Sequence, residues 1–444
     1  MNADALPPLG WLGILRLGLV QTSLGAIVVM TTAALNRVMV VEHALPATLP
    51  GALVALHYAV QMLRPRLGHG SDQGGRRTPW IVGGMAVLAV GGVLAAAATA
   101  WMGDALLPGI ALAVVAFLLV GLGVGAAGTS LLVLLAARVA PARKPAAASI
   151  VWIMMIAGFV MTTATTGRLL DPYSPERLVG VTAAVSAIAF LVSLLAVAGI
   201  EGRRAAAGAA RLAQTPFMVA LREVWAEPVA RHFTLFVFVS MLAYSAQDLI
   251  LEPFAGNVFG MTLGESTQLS SLQHGGVLAG MILIAVIGSL TRGGLHVLRG
   301  WIVGGCLLAC TMLVTLAFAH AATASFPLRA AFFVLGMANG VFAAAAIAAM
   351  MQLVAGDRQG REGVRMGMFG AAQAIAFGLG GFLGTVILDF GRLATGSVVG
   401  GYSAVFLADA VLFLAAALLA LRIGITIQRR RDGYGRAAPA ALGG

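Results

Sequence analysis

The chain has 444 residues, of which 60% are hydrophobic and 10% are charged, and its mean hydropathy is +0.95. A soluble domain needs about 25% charged residues to face water, so this composition excludes a soluble enzyme and a disordered chain. The net charge of +11 comes from bases that lie between apolar stretches, where they set membrane orientation, so no nucleic-acid partner is predicted.

Twelve apolar stretches are long enough to cross a bilayer, which takes about 20 residues each. The first six are residues 14–41, 46–67, 79–101, 106–137, 146–169 and 178–200. The second six are residues 232–253, 268–290, 297–319, 329–354, 366–389 and 401–423. We predict an all-α membrane protein of two six-helix bundles. Its domains are an N-terminal bundle (1–200), a cytoplasmic linker (201–231), a C-terminal bundle (232–424) and a basic tail (425–444).

The basic residues predict the orientation of these spans. With both termini in the cytoplasm, 23 of the 28 Lys and Arg residues lie on the cytoplasmic side, as the positive-inside rule requires. The linker segment 217–233 has the spacing of an amphipathic helix on the membrane surface. The tail carries Arg429, Arg430 and Arg431, which anionic lipid attracts. Membrane lipid is therefore a predicted partner.

The second half of each bundle repeats a pattern. Residues 121–171 and 336–389 each contain a glycine-rich span, a short basic loop, a second span and an aspartate at the far end. The copies lie about 215 residues apart, half the chain length. Parallel repeats of this kind form transporters whose two halves are related by an axis along the membrane normal, with a cavity between them.

The loop after the second span carries a recognisable motif. Residues 68–77 read GHGSDQGGRR, which resembles the loop signature of the major facilitator superfamily. The matching positions are Gly68, Asp72, Gly75, Arg76 and Arg77. Gln73 departs from the expected base. The resemblance implies a conformational latch between the two bundles; the alternative is a basic loop that only sets topology.

Four further segments resemble one branch of that superfamily. They read LNRVMVVE at 35–42, ALHYAVQMLRPRLGHGSDQGGRRTPWI at 55–81, QDLILEPFAGNVFGMTLGEST at 247–267 and GMFGAAQAIAFGLGG at 367–381. They are similar to the bacteriochlorophyll delivery (PucC-like) family, and the likeness runs along nearly the whole chain. It implies a light-harvesting assembly factor in the photosynthetic inner membrane. Its implied partners are antenna polypeptides or the reaction-centre complex, with bacteriochlorophyll or a carotenoid as bound pigment.

One family member is labelled a bacteriochlorophyll synthase chain, which raises the question of an enzyme. Prenyl transfer to a chlorophyllide requires an Asp-rich, Mg²⁺-binding diphosphate site, and the acids of this chain are scattered. The sequence contains no phosphate loop and no HExxH motif. We therefore predict a protein that is not an enzyme, with no catalytic residues.

Two histidines inside the spans are candidate pigment ligands, because neutral imidazole can bind the magnesium of a chlorophyll. His57 has Tyr58 beside it and Gln61 one turn further on, and it is the first choice as metal ligand. The alternative is a histidine bonded to a backbone carbonyl or to Gln61. His274 lies near the equivalent position of the second half, beside two glycines (Gly275 and Gly276) that leave room for a flat ring.

Ionisable residues within spans are costly in lipid and are functional candidates. Arg37 and Glu42 lie at the outer end of span 1, and Asp248 and Glu252 lie at the corresponding place in span 7. An ion pair of Arg37 with Asp248 or Glu252 across the bundle interface is one interpretation, and gating or a head-group contact is another. Asp409 lies in the middle of span 12, where proton coupling and a structural role are both open.

Three functions remain open at this point. The first is an assembly factor that binds bacteriochlorophyll and delivers it to antenna polypeptides. The second is a proton-coupled secondary transporter of a small solute, and the third is a pigment-free structural partner of the antenna.

Overall fold

The computed structural model describes residues 8–63, 76–140, 143–201, 222, 225–290, 295–355 and 362–437. The regular elements in these ranges are helices. In the N-terminal half they are α1 (Trp11–Glu42), α2 (Thr48–Gln61), α3 (Thr78–Trp101), α4 (Leu106–Arg138), α5 (Lys144–Leu169) and α6 (Pro175–Val197).

In the C-terminal half they are α7 (Pro228–Asp248), α8 (Leu251–Phe259), α9 (Leu263–Leu290), α10 (Leu295–Ala317), α11 (Leu328–Ala355), α12 (Glu362–Thr395) and α13 (Val398–Ala437). A short 3₁₀ turn, Ala319–Ala322, follows α10. The last helix continues beyond the predicted span to Ala437, within the predicted basic tail. Of the predicted surface helix at 217–233, residues 217–221, 223 and 224 lie outside the described residues, and α7 begins at Pro228 within the segment.

The helices confirm a multi-pass membrane protein. Within the described residues, 11 helices are long and apolar enough to cross a membrane. The remaining predicted span, the second one at 46–67, contains α2, which is 14 residues long and ends at Gln61; residues 64–75 lie outside the description. Twelve crossings return the chain to the face where it starts. We call this the proximal face, and the opposite one the distal face.

The seventh predicted span is broken into two helices, and the cause is Pro253. In a continuous helix the amide of residue 253 would bond to the Leu249 carbonyl, but proline has no N–H to donate. α7 therefore ends at Asp248, and α8 starts at Leu251. The free Leu249 carbonyl accepts a hydrogen bond from the Asn36 side-chain amide of α1 at 2.7 Å. The break thus becomes a contact between the two halves.

The first helix contains two π-helical turns that the sequence pattern does not predict. Met30–Ala34 and Val38–Glu42 are π-helical, with α-helical residues between them. A π turn closes hydrogen bonds from residue i to i+5. It therefore brings side chains five apart onto one face of the helix, which matters for Arg37 below.

The helices of each half pack mainly on one another, and two crossings join the halves. Within the N-terminal half α3 lies along α4, and in the C-terminal half α9 lies along α11. Between the halves, α2 packs on α12 and α5 packs on α9. Small residues permit these close approaches: a Cβ added at Gly336 of α11 would lie 1.9 Å from the Gln273 carbonyl oxygen of α9.

Candidate functional site

The first predicted ligand, His57, is buried on α2 at the crossing with α12, with 2% of its surface exposed. Its Nε2 lies 2.8 Å from the Gln61 amide nitrogen. An amide nitrogen can only donate, so the imidazole Nε2 accepts through its lone pair. The alternative raised from the sequence, a histidine bonded to Gln61, is the arrangement present. A metal at this nitrogen would have to displace Gln61.

Beside His57, aromatic rings from three helices meet where the two halves touch. Tyr58 of α2 lies edge-on to His57 with ring centroids 4.8 Å apart, and 5.7 Å from Phe377 of α12. Phe377 in turn lies 5.8 Å from Tyr244 of α7. The sequence singled out Tyr58 but missed Tyr244 and Phe377, because no spacing along one helix reveals which rings meet across an interface.

The second predicted ligand, His274, is buried at the other crossing, between α9 and α5. Its Nδ1 lies 2.9 Å from the Ser270 carbonyl oxygen. A carbonyl only accepts, so Nδ1 carries the proton and the lone pair is on Nε2. Metal-binding histidines have this arrangement, in which one ring nitrogen donates to a backbone carbonyl and the other binds. Phe159 of α5 lies edge-on at 5.1 Å.

The two glycines next to His274 differ in their surroundings. A Cβ at Gly275 would meet nothing within 4 Å, so this position borders open space. A Cβ at Gly276 would lie 2.1 Å from the Phe333 carbonyl oxygen of α11, so this position is filled by helix packing. The Cβ position is therefore open at Gly275 and filled at Gly276, and room for a flat ring beside Gly275 stays a prediction.

The expected ion pair between the halves takes a different form. Arg37 is buried, with 2% exposed, and it pairs with Glu42 of its own helix. The π turn at Val38–Glu42 explains this choice, since it brings residues five apart together. Arg37 still joins the halves, because its Nη2 donates to the Met261 carbonyl oxygen at 2.7 Å. The ion pair is thus with Glu42 and not with Asp248 or Glu252.

The three remaining acids lie at separate places in the C-terminal half. Asp248 is half-buried at the end of α7, where the helix breaks. Glu252 is buried on α8, near the hydroxyl groups of Thr267 and Ser270. Asp409 is buried on α13 among apolar side chains of the C-terminal core. Their gating or coupling roles stay predictions.

The proposed latch loop is described only at its end. Gly68, Asp72 and Gly75 lie outside the described residues, while Arg76 and Arg77 precede the first turn of α3. The latch between bundles therefore stays a prediction.

The start of α3 instead shows a cap that the sequence did not reveal. The Glu201 carboxylate accepts the backbone amides of Arg77 and Thr78 at 2.5 and 2.7 Å, and the Thr78 hydroxyl at 2.7 Å. Burial raises the pKa of Glu201, but the hydrogen bonds from Thr78 and Arg77, with the Arg77 charge, together hold that pKa below its ordinary value. Glu201 thus fastens the end of α6 to α3.

The described residues contain no group of three or more His, Cys, Asp or Glu side chains that could hold a metal ion. At His274 the Nε2 lone pair is not used by the Ser270 contact, whereas at His57 Nε2 already accepts a hydrogen bond from Gln61.

These features define a class: a polytopic helical protein with the fold of the major facilitator superfamily. A bacterial homolog of the human lysosomal transporter Spinster, inward-facing and unoccupied, matches with a TM-score of 0.71 at 16% identity, covering 94% of this chain and 97% of that one. A variant of the peptide transporter POT in complex with sulfate matches with a TM-score of 0.70 at 15% identity, covering 95% and 98%. At this identity the likeness shows the fold alone.

Within that class the family is identified by sequence. The model of the family described as PUCC protein matches residues 34–427, and the chain belongs to this family. The chain is 51% identical over 420 residues to the bacteriochlorophyll synthase 44.5 kDa chain of Rhodobacter capsulatus, covering 93% of this chain and 95% of that one. It is 28% identical over 439 residues to Protein PucC of the same organism, covering 92% and 91%.

Proposed function

We propose that this chain is an assembly factor for bacterial light-harvesting complexes that binds bacteriochlorophyll and delivers it to antenna polypeptides. The observation that carries the proposal is the 51% identity, along 93% of the chain, to a protein named for bacteriochlorophyll. The membership of the PUCC family supports the link to the antenna. The protein would act in the photosynthetic inner membrane, with both termini in the cytoplasm, and it would carry out no chemical step.

The hydrogen bonds make His274 the preferred ligand over His57. Bound pigment would contribute a magnesium ion with an open axial position, and the Nε2 lone pair of His274 would fill it. The open space beside Gly275 would admit the edge of a flat ring. Phe159 would contribute an aromatic contact from the other half.

An absorption spectrum of the protein purified in mild detergent from a pigment-making host tests the proposal. We expect a stoichiometric bacteriochlorophyll band that is lost or shifted in His274→Ala and retained in His57→Ala. His320→Ala is the matched control, because this exposed imidazole also bonds a backbone carbonyl through Nδ1, at 3.2 Å, but lies away from both crossings. A colourless wild-type protein, with separated antenna complexes as positive control, would contradict pigment binding.

Proton-coupled transport of a small solute is the second candidate, and the fold shared with solved transporters favours it. Asp409 is the candidate coupling residue, because it is a buried acid in the last span. Uptake into vesicles that responds to an imposed proton gradient, and fails in Asp409→Asn, would support this function. A colourless protein that transports nothing and co-purifies with antenna subunits would instead be a structural partner.

A further inference from the structure

The aspartates that end the two sequence repeats both reach across the interface between the halves. Asp389 of α12 accepts the backbone amides of Ala47 and Thr48 at 3.1 and 2.8 Å, at the start of α2. Asp171, just beyond α5, accepts the Gly264 amide at 2.9 Å and the Thr262 hydroxyl at 2.5 Å, at the start of α9. Each carboxylate therefore holds the first turn of a helix in the opposite half.

The two contacts are copies of one another under the internal repeat. The acids are 218 residues apart in the sequence, and the helix starts that they hold are 215 to 216 residues apart. One acid belongs to the N-terminal half and the other to the C-terminal half. The contacts thus cross the interface in opposite directions on the distal face.

Close backbone packing accompanies each carboxylate. A Cβ at Gly264 would lie 2.2 Å from the Gly167 carbonyl oxygen of α5. A Cβ at Gly51 of α2 would lie 2.1 Å from the Thr385 hydroxyl oxygen of α12. The halves therefore touch directly beside both acids, and any separation of the halves on the distal face pulls each carboxylate away from its helix.

The charge of the acids suits the groups that they meet. The first amides of a helix have no partner within the helix, and they carry the positive end of its dipole. At the start of α2, Ala47 provides no side-chain cap, so Asp389 supplies the acceptor from the other half. The carboxylate and the helix start both lose this interaction if the distal face opens.

We infer that Asp171 and Asp389 form a pair of distal latches that hold the two halves closed on the face opposite the termini. On the same side, the Asn36 and Arg37 side chains donate hydrogen bonds to backbone carbonyl oxygens of the C-terminal half. The inference concerns how the halves move and does not depend on what the protein carries. Access to the interior from the distal side requires both latches to release.

Pulsed electron–electron spin resonance on the full chain in lipid nanodiscs tests this inference. Cys306 and Cys310 are first replaced by alanine, and spin labels are placed at the exposed positions Glu176 and Ser397, one on each half of the distal face. The wild-type background is expected to give a short, closed distance. Replacing a capping side chain with alanine changes an equilibrium about fivefold. Asp171→Ala and Asp389→Ala are each expected to raise the open-to-closed ratio by about that factor, and the double variant by about 25-fold.

Two variants separate a latch from a general loss of stability. Asp104→Ala removes another exposed acid of the distal face and is expected to leave the distances unchanged. Thr262→Val removes only the hydroxyl group that donates to Asp171, and is expected to open the distal face less than Asp171→Ala does. The inference is overturned if the double variant, monodisperse and helical, keeps the distance distribution of Asp104→Ala.

Discussion

The Glu201 cap gives the sharpest test of the local energetics, because three donors converge on one carboxylate. Glu201→Ala leaves the amides of Arg77 and Thr78 without their acceptor at the start of α3. Removing a helix cap costs about 0.5–2 kcal/mol, and hydrogen bonds to a charged group lie at the upper end of their range. We expect a cost of about 2 kcal/mol, which corresponds to a roughly thirtyfold larger equilibrium constant for opening of this turn.

Hydrogen–deuterium exchange at pH 7 on a peptide that spans the start of α3 measures that opening directly. Glu176→Ala is the matched control, because Glu176 is an exposed acid in the first turn of the same helix that precedes Glu201. Exchange in the Glu201 variant should be faster only at the start of α3. Equal exchange in the two variants would refute the assignment of Glu201 as the cap.

The pH dependence gives the same reasoning a second test. The pKa of Glu201 is lowered in the folded protein from its ordinary value of 4.5. A lowered pKa contributes stability above the ordinary value, and that contribution is lost as the pH falls through the folded pKa. The melting temperatures of wild type and Glu201→Gln should therefore differ at pH 7 and converge as the pH falls below 4.5 and through the folded pKa. A difference that persists unchanged in acid would contradict the charged cap.

Two further substitutions probe the packing and the buried charge. Gly336→Ala should lower the melting temperature in a thermal-melt assay, because its Cβ would lie 1.9 Å from the Gln273 carbonyl oxygen. A helix must then shift, at an overpacking cost of about 1–3 kcal/mol. Gly304→Ala, whose Cβ meets nothing within 4 Å, should melt as wild type does. Arg37→Met should cost about 1.5–3 kcal/mol, because it removes the hydrogen bond that the Arg37 Nη2 donates to the Met261 carbonyl oxygen. Glu42 is exposed and its carboxylate stays hydrated, so adding Glu42→Gln should change the free energy of chemical unfolding little further; a large recovery by Glu42→Gln would show that the unpaired carboxylate is the main cost.

The sequence predicts the spans well, because bilayer thickness and hydropathy alone determine their length. It fails where one residue changes the path of the backbone. Pro253 lies inside an apolar run, so a hydropathy average predicts one continuous span there. The N–H that proline lacks nevertheless ends α7 at Asp248. The π turns of α1 are equally invisible to a count of apolar residues, yet they decide that Arg37 pairs with Glu42.

Contacts between elements far apart in the chain account for the rest of what the sequence did not show. The repeat pattern included the aspartates at 171 and 389, but gave no sign that each one meets a helix start in the other half. Glu201 appeared as the first residue of a linker, and its three donors lie more than 120 residues away. Burial and hydrogen-bond partners across such separations follow from the packing of helices, which no local pattern records.

The repeat also explains why the two histidines differ as candidates. His57 and His274 are 217 residues apart, as are Tyr58 and Gly275, so they occupy equivalent positions at the two crossings. At the α2–α12 crossing the position after the histidine holds a tyrosine ring, which packs on Phe377. At the α5–α9 crossing the same position is a glycine that borders open space.

The two crossings are therefore built alike but filled differently. The α2–α12 crossing is closed by aromatic side chains, and its histidine accepts a hydrogen bond from Gln61. The α5–α9 crossing keeps a histidine whose Nε2 lone pair is not used by the Ser270 contact. If the protein binds a pigment through an axial imidazole, a single molecule on the α5–α9 side is the expected stoichiometry. A measured ratio of two per chain would contradict this asymmetry and return His57 to consideration.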